Sequence, residues 1–399
     1  MNFRELGLRA EMAEMCRRIG FTEPTPIQKQ AIPVILQGGD VIGTAETGTG
    51  KTGAFLLPII QKVGENYRPS TMKVLVLAPT RELATQIEAE CRKFSPKGIT
   101  CAVLIGGTGY GKQTQALKKG VNILIATPGR LIDFMEQGLV NFKTLTTLVL
   151  DEADRMLDMG FLPAIKRIVK ACPEKRQTLF FSATMAGEIE HIAHQIVKDP
   201  TYVEVSPRGK AAVTIEQKAY PVAHQFKVSL LLDLLGKEDL ERVLIFTRTK
   251  RGADRIAHIL DKQDHKSNRI HGDRSQSQRE AALAGFKSGR TRILVATDVA
   301  ARGIDIDAVS HVINYDVPVA PEDYVHRIGR TGRAGNKGQA ITFFTLAEEH
   351  SMRAIEKLTG QQVERVFLPD FGGSQPVEAA SKSASSGRSF RSYGGRRRR

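Results

Sequence analysis

Short runs of apolar residues alternate with longer amphipathic stretches over the first 206 residues. Strands of a parallel sheet are nearly continuously apolar, because helices cover both of their faces. The amphipathic stretches 81–94 and 188–197 have the period of helices. This alternation predicts a doubly wound α/β domain. Its predicted strands are the apolar runs at 41–45, 74–78, 122–126, 148–150 and 178–181.

The pattern breaks near residues 206–210 and then restarts, which predicts a second domain of the same class. We therefore expect an α/β domain at 1–206, a linker at 207–213 and a second α/β domain at 214–369. Residues 370–399 are rich in Ser, Gly and Arg and have too few large apolar residues to fold alone, which predicts a disordered tail. The predicted strands of the second domain lie at 243–246, 269–270, 293–296, 312–315 and 340–344.

Composition and charge point to a globular protein with a polyanionic partner. Apolar residues make up 41% of the 399 residues, enough for real cores. The net charge of +15 favours nucleic acid as a partner. Residues 371–399 hold seven Lys or Arg residues and one acid, with Phe390 and Tyr393 among the arginines. We expect the tail to contact RNA or another polyanion; the alternative is a flexible, solubilising end.

No apolar run is long enough for a membrane span, and the N-terminus lacks the layout of a signal peptide. We therefore expect no membrane association and a cytoplasmic location. The four cysteines form no Cys-x-x-Cys pair. We expect them to be reduced and structural rather than disulfide-bonded or metal-bound.

Residues 45–52 read Ala-Glu-Thr-Gly-Thr-Gly-Lys-Thr and lie between a predicted strand and a helical run. Gly48 and Gly50 allow the backbone N–H groups to face an anion, and the helix N-terminus favours phosphate. Lys51 can pair with the β- and γ-phosphates, and the Thr52 hydroxyl can ligate Mg²⁺. Ala45 stands where the strict pattern has Gly. This segment predicts a phosphate loop.

Asp151-Glu-Ala-Asp154 follows the apolar run at 148–150. Carboxylates at the carboxyl end of a parallel strand lie where an α/β sheet binds its ligand. Asp151 would hold Mg²⁺, partly through water, and Glu152 would orient and deprotonate the attacking water. The alternative is a solvated acidic start of a helix. Because this acidic segment lies about 100 residues after a phosphate loop, the catalytic interpretation is favoured.

Together with further motifs in a fixed order, these segments resemble the DEAD-box RNA helicases of superfamily 2, and small bacterial members most. The resemblance runs from about residue 3 to 368 and implies two tandem RecA-like domains, with a Q motif at about 1–29. It also implies ATP, Mg²⁺ and RNA as ligands. The further motifs lie at 20–28, 79–83, 106–107, 127–130, 182–184, 244–248, 276–279, 296–305 and 326–333.

The resemblance implies that Phe21 stacks on adenine and that the Gln28 amide reads its N6 and N7 edge, which selects ATP over GTP. The alternatives are core packing for Phe21 and an exposed helix position for Gln28. The other ATP-binding positions that the resemblance implies are Ala45, Glu46, Thr47, Gly48, Thr49, Gly50, Lys51, Thr52 and Asp305.

The resemblance also implies that Arg330 and Arg333 reach the γ-phosphate from the second domain and join Lys51, Asp151 and Glu152 in catalysis. A spacing of three puts the two arginines on one side of a predicted helix. The alternative is a solvated basic face that includes Arg327. The resemblance further implies that four residues couple hydrolysis to strand separation: Asp154, Ser182, Thr184 and His326. For Ser182 and Thr184 the alternative is an ST-turn or a helix N-cap after the strand.

Small residues, hydroxyls and a few arginines are implied to follow an RNA backbone, which predicts weak sequence preference. Selectivity for RNA is implied through 2′-hydroxyl contacts. The positions are Pro79, Thr80, Arg81, Gly107, Thr127, Gly129 and Arg130 in the first domain and Thr247, Arg248, Gln276, Arg279, Thr297 and Asp298 in the second.

The implied mechanism is closure of two domains on ATP and RNA, so that the closed surface bends one strand and expels its partner from a short duplex. Three alternatives remain open at this point. An ATP-gated RNA clamp would close without unwinding. An RNA chaperone would act through the basic tail. A DNA helicase is disfavoured because no further domain is present to grip a duplex.

Overall fold

The protein consists of two seven-stranded sheets, each flanked by helices. A computed structural model describes residues 1–45, 48–185, 187–205, 215–237, 240–301, 309–332 and 338–372. The strands of the first sheet lie in the order β3-β4-β2-β5-β6-β1-β7. They are β1 (Val41–Thr44), β2 (Val74–Leu77), β3 (Cys101–Leu104), β4 (Ile123–Ala126), β5 (Thr147–Leu150), β6 (Gln177–Ser182) and β7 (Thr201–Glu204).

The second sheet has the order β10-β11-β9-β12-β13-β8-β14. Every strand pairing in the two sheets is parallel. The strands of the second sheet are β8 (Ile215–Pro221), β9 (Val243–Phe246), β10 (Ser267–Ile270), β11 (Ile293–Ala296), β12 (His311–Asn314), β13 (Gly338–Phe344) and β14 (Glu364–Arg365).

Helices connect the strands on both faces of each sheet. In the first domain they are α1 (Ala10–Arg18), α2 (Pro26–Leu36), α3 (Lys51–Glu65), α4 (Arg81–Phe94), α5 (Tyr110–Lys119), α6 (Pro128–Glu136), α7 (Ala153–Asp158), α8 (Leu162–Ala171) and α9 (Glu188–Ile196). In the second they are α10 (Lys227–Lys237), α11 (Lys250–Lys262), α12 (Gln276–Lys287), α13 (Asp298–Ala301), α14 (Pro321–Ile328) and α15 (Glu349–Thr359).

Each sheet separates two apolar cores. Successive side chains of a strand point to opposite faces. Val74 and Val76 of β2 therefore lie in one core of the first domain, and Leu75 and Leu77 lie in the other. The same alternation divides β9 between two of the three apolar clusters of the second domain. Burial on both faces explains why the central strands are apolar at every position.

The predicted fold class is confirmed, and the predicted central strands occur with ends that differ by at most two residues. Four strands were missed: β3, β7, β8 and β14. Three of the four positions of β7 face solvent, and β8 carries Glu216, Gln217 and Lys218. A strand that is partly exposed, such as β7, β8 or β14, needs no continuous apolar run, so the search for such runs does not find it. The strand β3 is apolar and largely buried, and it was missed although it has such a run.

The domain boundary falls between the two sheets. The first sheet ends at Glu204 and the second begins at Ile215, and the predicted linker at 207–213 lies outside the described residues. The second domain extends past the predicted end at 369, because Phe371 packs against one of its cores. The predicted tail therefore begins later than residue 370. Residues from 373 onward lie outside the described part of the chain.

None of the helices in the described part of the chain combines the length and the apolar character that a membrane span requires. The four cysteines are buried and are not joined in disulfides in the structure.

Candidate ATP and RNA site

A cavity of about 370 Å³ lies at the carboxyl edge of the first sheet, within the range of small-molecule sites. It brings together three segments that are far apart in sequence: the predicted Q motif, the phosphate loop and the acidic motif. Its lining includes Phe21, Gln28, Gly48, Gly50, Lys51, Thr52, Asp151 and Glu152. The cavity therefore collects most of the predicted ATP-binding residues.

The Gln28 side chain links the Q motif to the phosphate loop. Its amide nitrogen donates to the Gly50 carbonyl at 3.1 Å, and its amide oxygen accepts from the Thr25 backbone at 3.0 Å. The residue is buried rather than exposed on its helix. Since an amide has two donors and two lone pairs, these bonds leave capacity for the predicted adenine contact, which stays a prediction.

The phosphate loop turns into α3 at Gly50, whose φ of +92° favours glycine. The Lys51 ammonium is buried and donates to the Ala45 carbonyl at 2.8 Å. It therefore lies across the mouth of the loop, where a phosphate would be bound. Glu46 and Thr47 of the predicted loop lie outside the described residues. Thr49 belongs to the loop, but it does not appear among the residues that line the cavity.

Asp151 and Glu152 follow β5 directly and are both buried. Burial raises the pKa of Asp151 to about 7, with Lys51 lowering it and Glu152 raising it further. Glu152 has a φ of +50°, a conformation that costs free energy for a non-glycine residue and is found mainly at functional sites. The alternative of a solvated helix start is wrong for both residues, because neither faces solvent.

Asp154 joins the acidic motif to the segment after β6. Its carboxylate accepts from the backbone N–H groups of Ala183 and Thr184 at 3.0 and 3.1 Å. The Ser182 hydroxyl in turn donates to the Thr184 carbonyl. Ser182 and Thr184 form the turn that was the alternative interpretation. The same turn is tied to the acidic motif, as a coupling role would require.

The second domain places Arg330 and His326 against the first domain. A small crevice between the domains is lined by Arg155 of α7 and, from the second domain, by Phe246, Asp298, Asp323, His326, Arg327 and Arg330. Arg155 and Arg330 are both almost fully buried. Asp305 and Arg333 lie outside the described residues, so their predicted roles stay predictions.

Two expectations about these arginines are wrong. Arg330 does not continue the helix of Arg327, because α14 ends at Ile328 and Gly329 caps it. Arg327 and Arg330 also do not form a solvated basic face, because both side chains are buried. Arg327 is buried and its guanidinium binds both carboxylate oxygens of Asp298, at 2.6 and 2.8 Å. Asp298, a predicted RNA contact, therefore has its carboxylate occupied by an arginine.

The predicted RNA positions of the first domain lie on three loops at the carboxyl ends of β2, β3 and β4. The guanidinium of Arg81 packs directly on Gly107, which has a φ of +73°, so that a Cβ at this glycine would overlap it. The Thr80 hydroxyl caps α4 by accepting from Leu83 N at 3.3 Å. Gly129, at the start of α6, has open space around it. Pro79 and Thr127 are buried beside these loops.

The predicted RNA positions of the second domain occupy the matching edge of its sheet, after β9 and β11 and at the start of α12. Arg248 is half exposed and pairs with Glu348 at 2.9 Å. Thr247 is fully buried, and its hydroxyl donates to the Thr249 carbonyl. Gln276 donates to Glu280, and its buried amide oxygen has no partner in the described chain. Thr297 is also buried.

An ion pair joins the two domains. Arg279 Nη2 lies 2.8 Å from a Glu82 carboxylate oxygen, and the two side chains are 8% and 5% exposed. Burial lowers the pKa of Arg279, and Glu82 opposes this shift. Glu82 lies inside a predicted motif, yet it was not predicted as a functional residue, and neither was Arg155. No sequence pattern connects a residue of one domain with its partner in the other.

Reversing either charge of this pair is expected to lower the RNA-stimulated kcat/KM by about 30-fold or more, because a charge buried without its partner costs about 2–5 kcal/mol. The variants are Glu82→Arg and Arg279→Glu, measured by ATP hydrolysis over a range of RNA concentrations. The double reversal is expected to recover most of the loss. Failure to recover would mean that Arg279 acts on RNA directly.

A matched control exists within the first domain. Arg167 and Glu136 form a pair of 2.6 Å whose side chains are both 54% exposed. Since exposed pairs contribute little, reversing either of these charges is expected to leave the RNA dependence unchanged. Equal losses in both pairs would argue against a special role for the interdomain contact.

Two RecA-like domains that meet beside a nucleotide cavity are the architecture of a helicase-type ATPase. The first domain matches the DEAD/DEAH box helicase model over residues 25–192, and the second matches the helicase conserved C-terminal domain over 226–335. The chain belongs to the DEAD-box helicase family. It is 45% identical to the DEAD-box ATP-dependent RNA helicase CshA of Geobacillus kaustophilus over 368 residues, which cover 92% of this chain and 78% of CshA.

Solved structures test the arrangement of the domains. Dbp5 of S. cerevisiae bound to RNA and ADP BeF3 is 31% identical, with a TM-score of 0.82 over 92% of this chain and 95% of that one. A DEAD box protein of Methanococcus jannaschii is 39% identical, yet its TM-score is 0.54 over 92% of this chain and 99% of that one. The two domains together are therefore more similar to those of the Dbp5 complex than to those of the Methanococcus jannaschii protein.

Proposed function

We propose that this DEAD-box ATP-dependent RNA helicase closes its two domains around ATP and single-stranded RNA, and that closure completes the hydrolytic site. Lys51 and Thr52 hold the phosphates from the first domain, Glu152 orients and deprotonates the water, and Arg330 and Arg333 approach from the second. Hydrolysis and phosphate release then reopen the cleft. Such a cycle separates short RNA duplexes locally and remodels complexes of RNA and protein.

The observation that carries this proposal is the contact between the domains. Arg279 of the second domain forms a buried pair with Glu82 of the first, and the buried Arg155 lines a crevice with residues of the second domain. Arg330 lines the same crevice as Arg155, which directly follows the acidic motif, and this supports its proposed approach to the phosphates. The chain is also similar to Dbp5 with RNA and ADP BeF3 bound, with a TM-score of 0.82. ATP and RNA are therefore the ligands that this closed arrangement fits.

Mg²⁺ is the cation that the nucleotide cavity fits. Among the described residues there is no group of three His, Cys, Asp or Glu that would hold a metal by itself. Mg²⁺ is usually held by one or two carboxylates together with substrate phosphates. The buried Asp151 carboxylate, whose pKa is raised to about 7, would gain from a divalent charge. Asp151, partly through water, and Thr52 would hold the ion, which would neutralise charge on the phosphates.

The RNA path would run along the carboxyl edges of both sheets, over the loops of Gly107, Gly129 and Arg248. Backbone groups and small residues dominate this edge, so contacts would go to sugar and phosphate and the preference for sequence would be weak. Selectivity for RNA through 2′-hydroxyls is carried over from the family. The basic tail would add a further RNA or polyanion contact.

Steady-state ATP hydrolysis is expected to rise strongly with single-stranded RNA and little with DNA of the same sequence, because closure requires both ligands. Equal stimulation by DNA, or full activity without RNA, would contradict the proposal. A chain ending at Gly372 is the control for the tail, since Phe371 belongs to the folded domain. It should keep the maximal rate and need more RNA to reach it.

A further inference from the structure

Residues 105–109, which we call the GG loop, connect β3 to α5 and contain the predicted RNA contact Gly107. The buried Gln113 side chain of α5 closes this loop from within. It accepts from Ile105 N at 2.9 Å and donates to Thr108 Oγ1 at 2.8 Å. These bonds fix the shape of the GG loop. They do not fix its position relative to the start of α6, which needs a separate contact.

Arg130 connects the GG loop to the start of α6, the neighbouring loop of the proposed RNA path. Its Nη1 donates to the Thr108 carbonyl at 3.1 Å, and its side chain is 7% exposed. Arg130 Nε is buried and has no hydrogen-bond partner in the described chain. One hydrogen bond alone does not fix a long side chain, so a further contact must orient the guanidinium.

Tyr110 supplies that contact. The Arg130 guanidinium lies over the Tyr110 ring, 4.1 Å from its centroid. The Tyr110 hydroxyl donates to Asp133 Oδ2 at 3.1 Å, and the same oxygen lies 3.5 Å from Arg130 Nε. The ring also packs on Phe134, with 5.4 Å between centroids. The tyrosine thus bridges the first residue of α5 and the first turns of α6, although it is 43% exposed.

We propose that Tyr110 is a positioning residue for RNA binding: its ring orients Arg130 and so fixes the distance between the GG loop and the start of α6. A backbone track reads successive phosphates and riboses, so two loops that grip it must keep a constant spacing. A buried guanidinium gains more from an aromatic face than an exposed one. This inference rests on the proposed RNA path over these two loops.

Tyr110→Ala is expected to raise the RNA concentration for half-maximal ATPase by about tenfold, with kcat at saturating RNA close to that of the unchanged protein. Tyr110→Phe keeps the ring and loses only the bond to Asp133, so it should restore most of the affinity. A fall in kcat together with the melting temperature, or no rescue by Phe, would show a merely structural or hydroxyl-based role and overturn the inference.

Two controls separate this inference from the proposed function. Tyr202 is 55% exposed on the edge strand β7 of the same domain, and Tyr202→Ala should not change RNA dependence. Gly107→Ala collides with Arg81 and should weaken RNA binding whether or not Tyr110 matters. A loss in Gly107→Ala with none in Tyr110→Ala overturns only the inference. If neither variant changes RNA dependence, the proposed path and the inference both fail.

Discussion

Replacing Glu152 with Gln is expected to lower ATP turnover at saturating RNA about 100- to 10,000-fold, the usual contribution of a general base. The amide has the same shape and cannot accept a proton from water. Glu152 is buried beside Asp151 and lies 3.7 Å from Arg155 Nε, so solvent cannot replace it. ATP and RNA should still bind, because neither the phosphate loop nor the RNA loops change.

Turnover is measured in the steady state, and RNA binding is measured by fluorescence anisotropy with ATP present. RNA should dissociate more slowly from the variant than from the unchanged protein, since hydrolysis no longer reopens the closed state. Glu188→Gln, an exposed carboxylate at the start of α9, is the matched control. Full turnover in Glu152→Gln would remove this residue from the role of base and require another proton acceptor.

Replacing Arg330 with Ala is expected to lower kcat by about 1,000- to 100,000-fold, as loss of an arginine finger does in related phosphoryl-transfer enzymes. Arg330 is 2% exposed and lines a crevice with Arg155 of the first domain, so in the proposed mechanism its charge would act only after closure. The KM for ATP should change little, because the nucleotide cavity belongs to the first domain.

Arg330→Lys tests whether charge alone is sufficient. Lysine keeps the charge and loses the planar fork that spans several phosphate oxygens, so it should recover only part of the rate. Arg353→Ala removes the same charge from a side chain that is 77% exposed on α15 and should be silent. A large rise in KM for ATP with kcat preserved would place Arg330 in ground-state binding instead.

The sequence predicted those parts of the site that are continuous in the chain. The phosphate loop and the acidic motif were found because each places its chemistry within a few residues after a buried strand. The bond from Gln28 to Gly50 was not expected, since it joins residues 22 positions apart. The contacts of Arg327 were missed for the same reason: Asp298 and Asn314 are its neighbours only in the folded domain.

By itself, the sequence determined the class of fold, the central strands and the local chemistry for binding a triphosphate. These depend on the period and composition of short segments, which physical chemistry fixes locally. Only the tertiary structure decided the Glu82–Arg279 pair, the enclosure of Arg155 and the stacking of Tyr110 on Arg130. Such contacts join distant segments, and their strength comes from burial, which exists only once the domains have folded and closed.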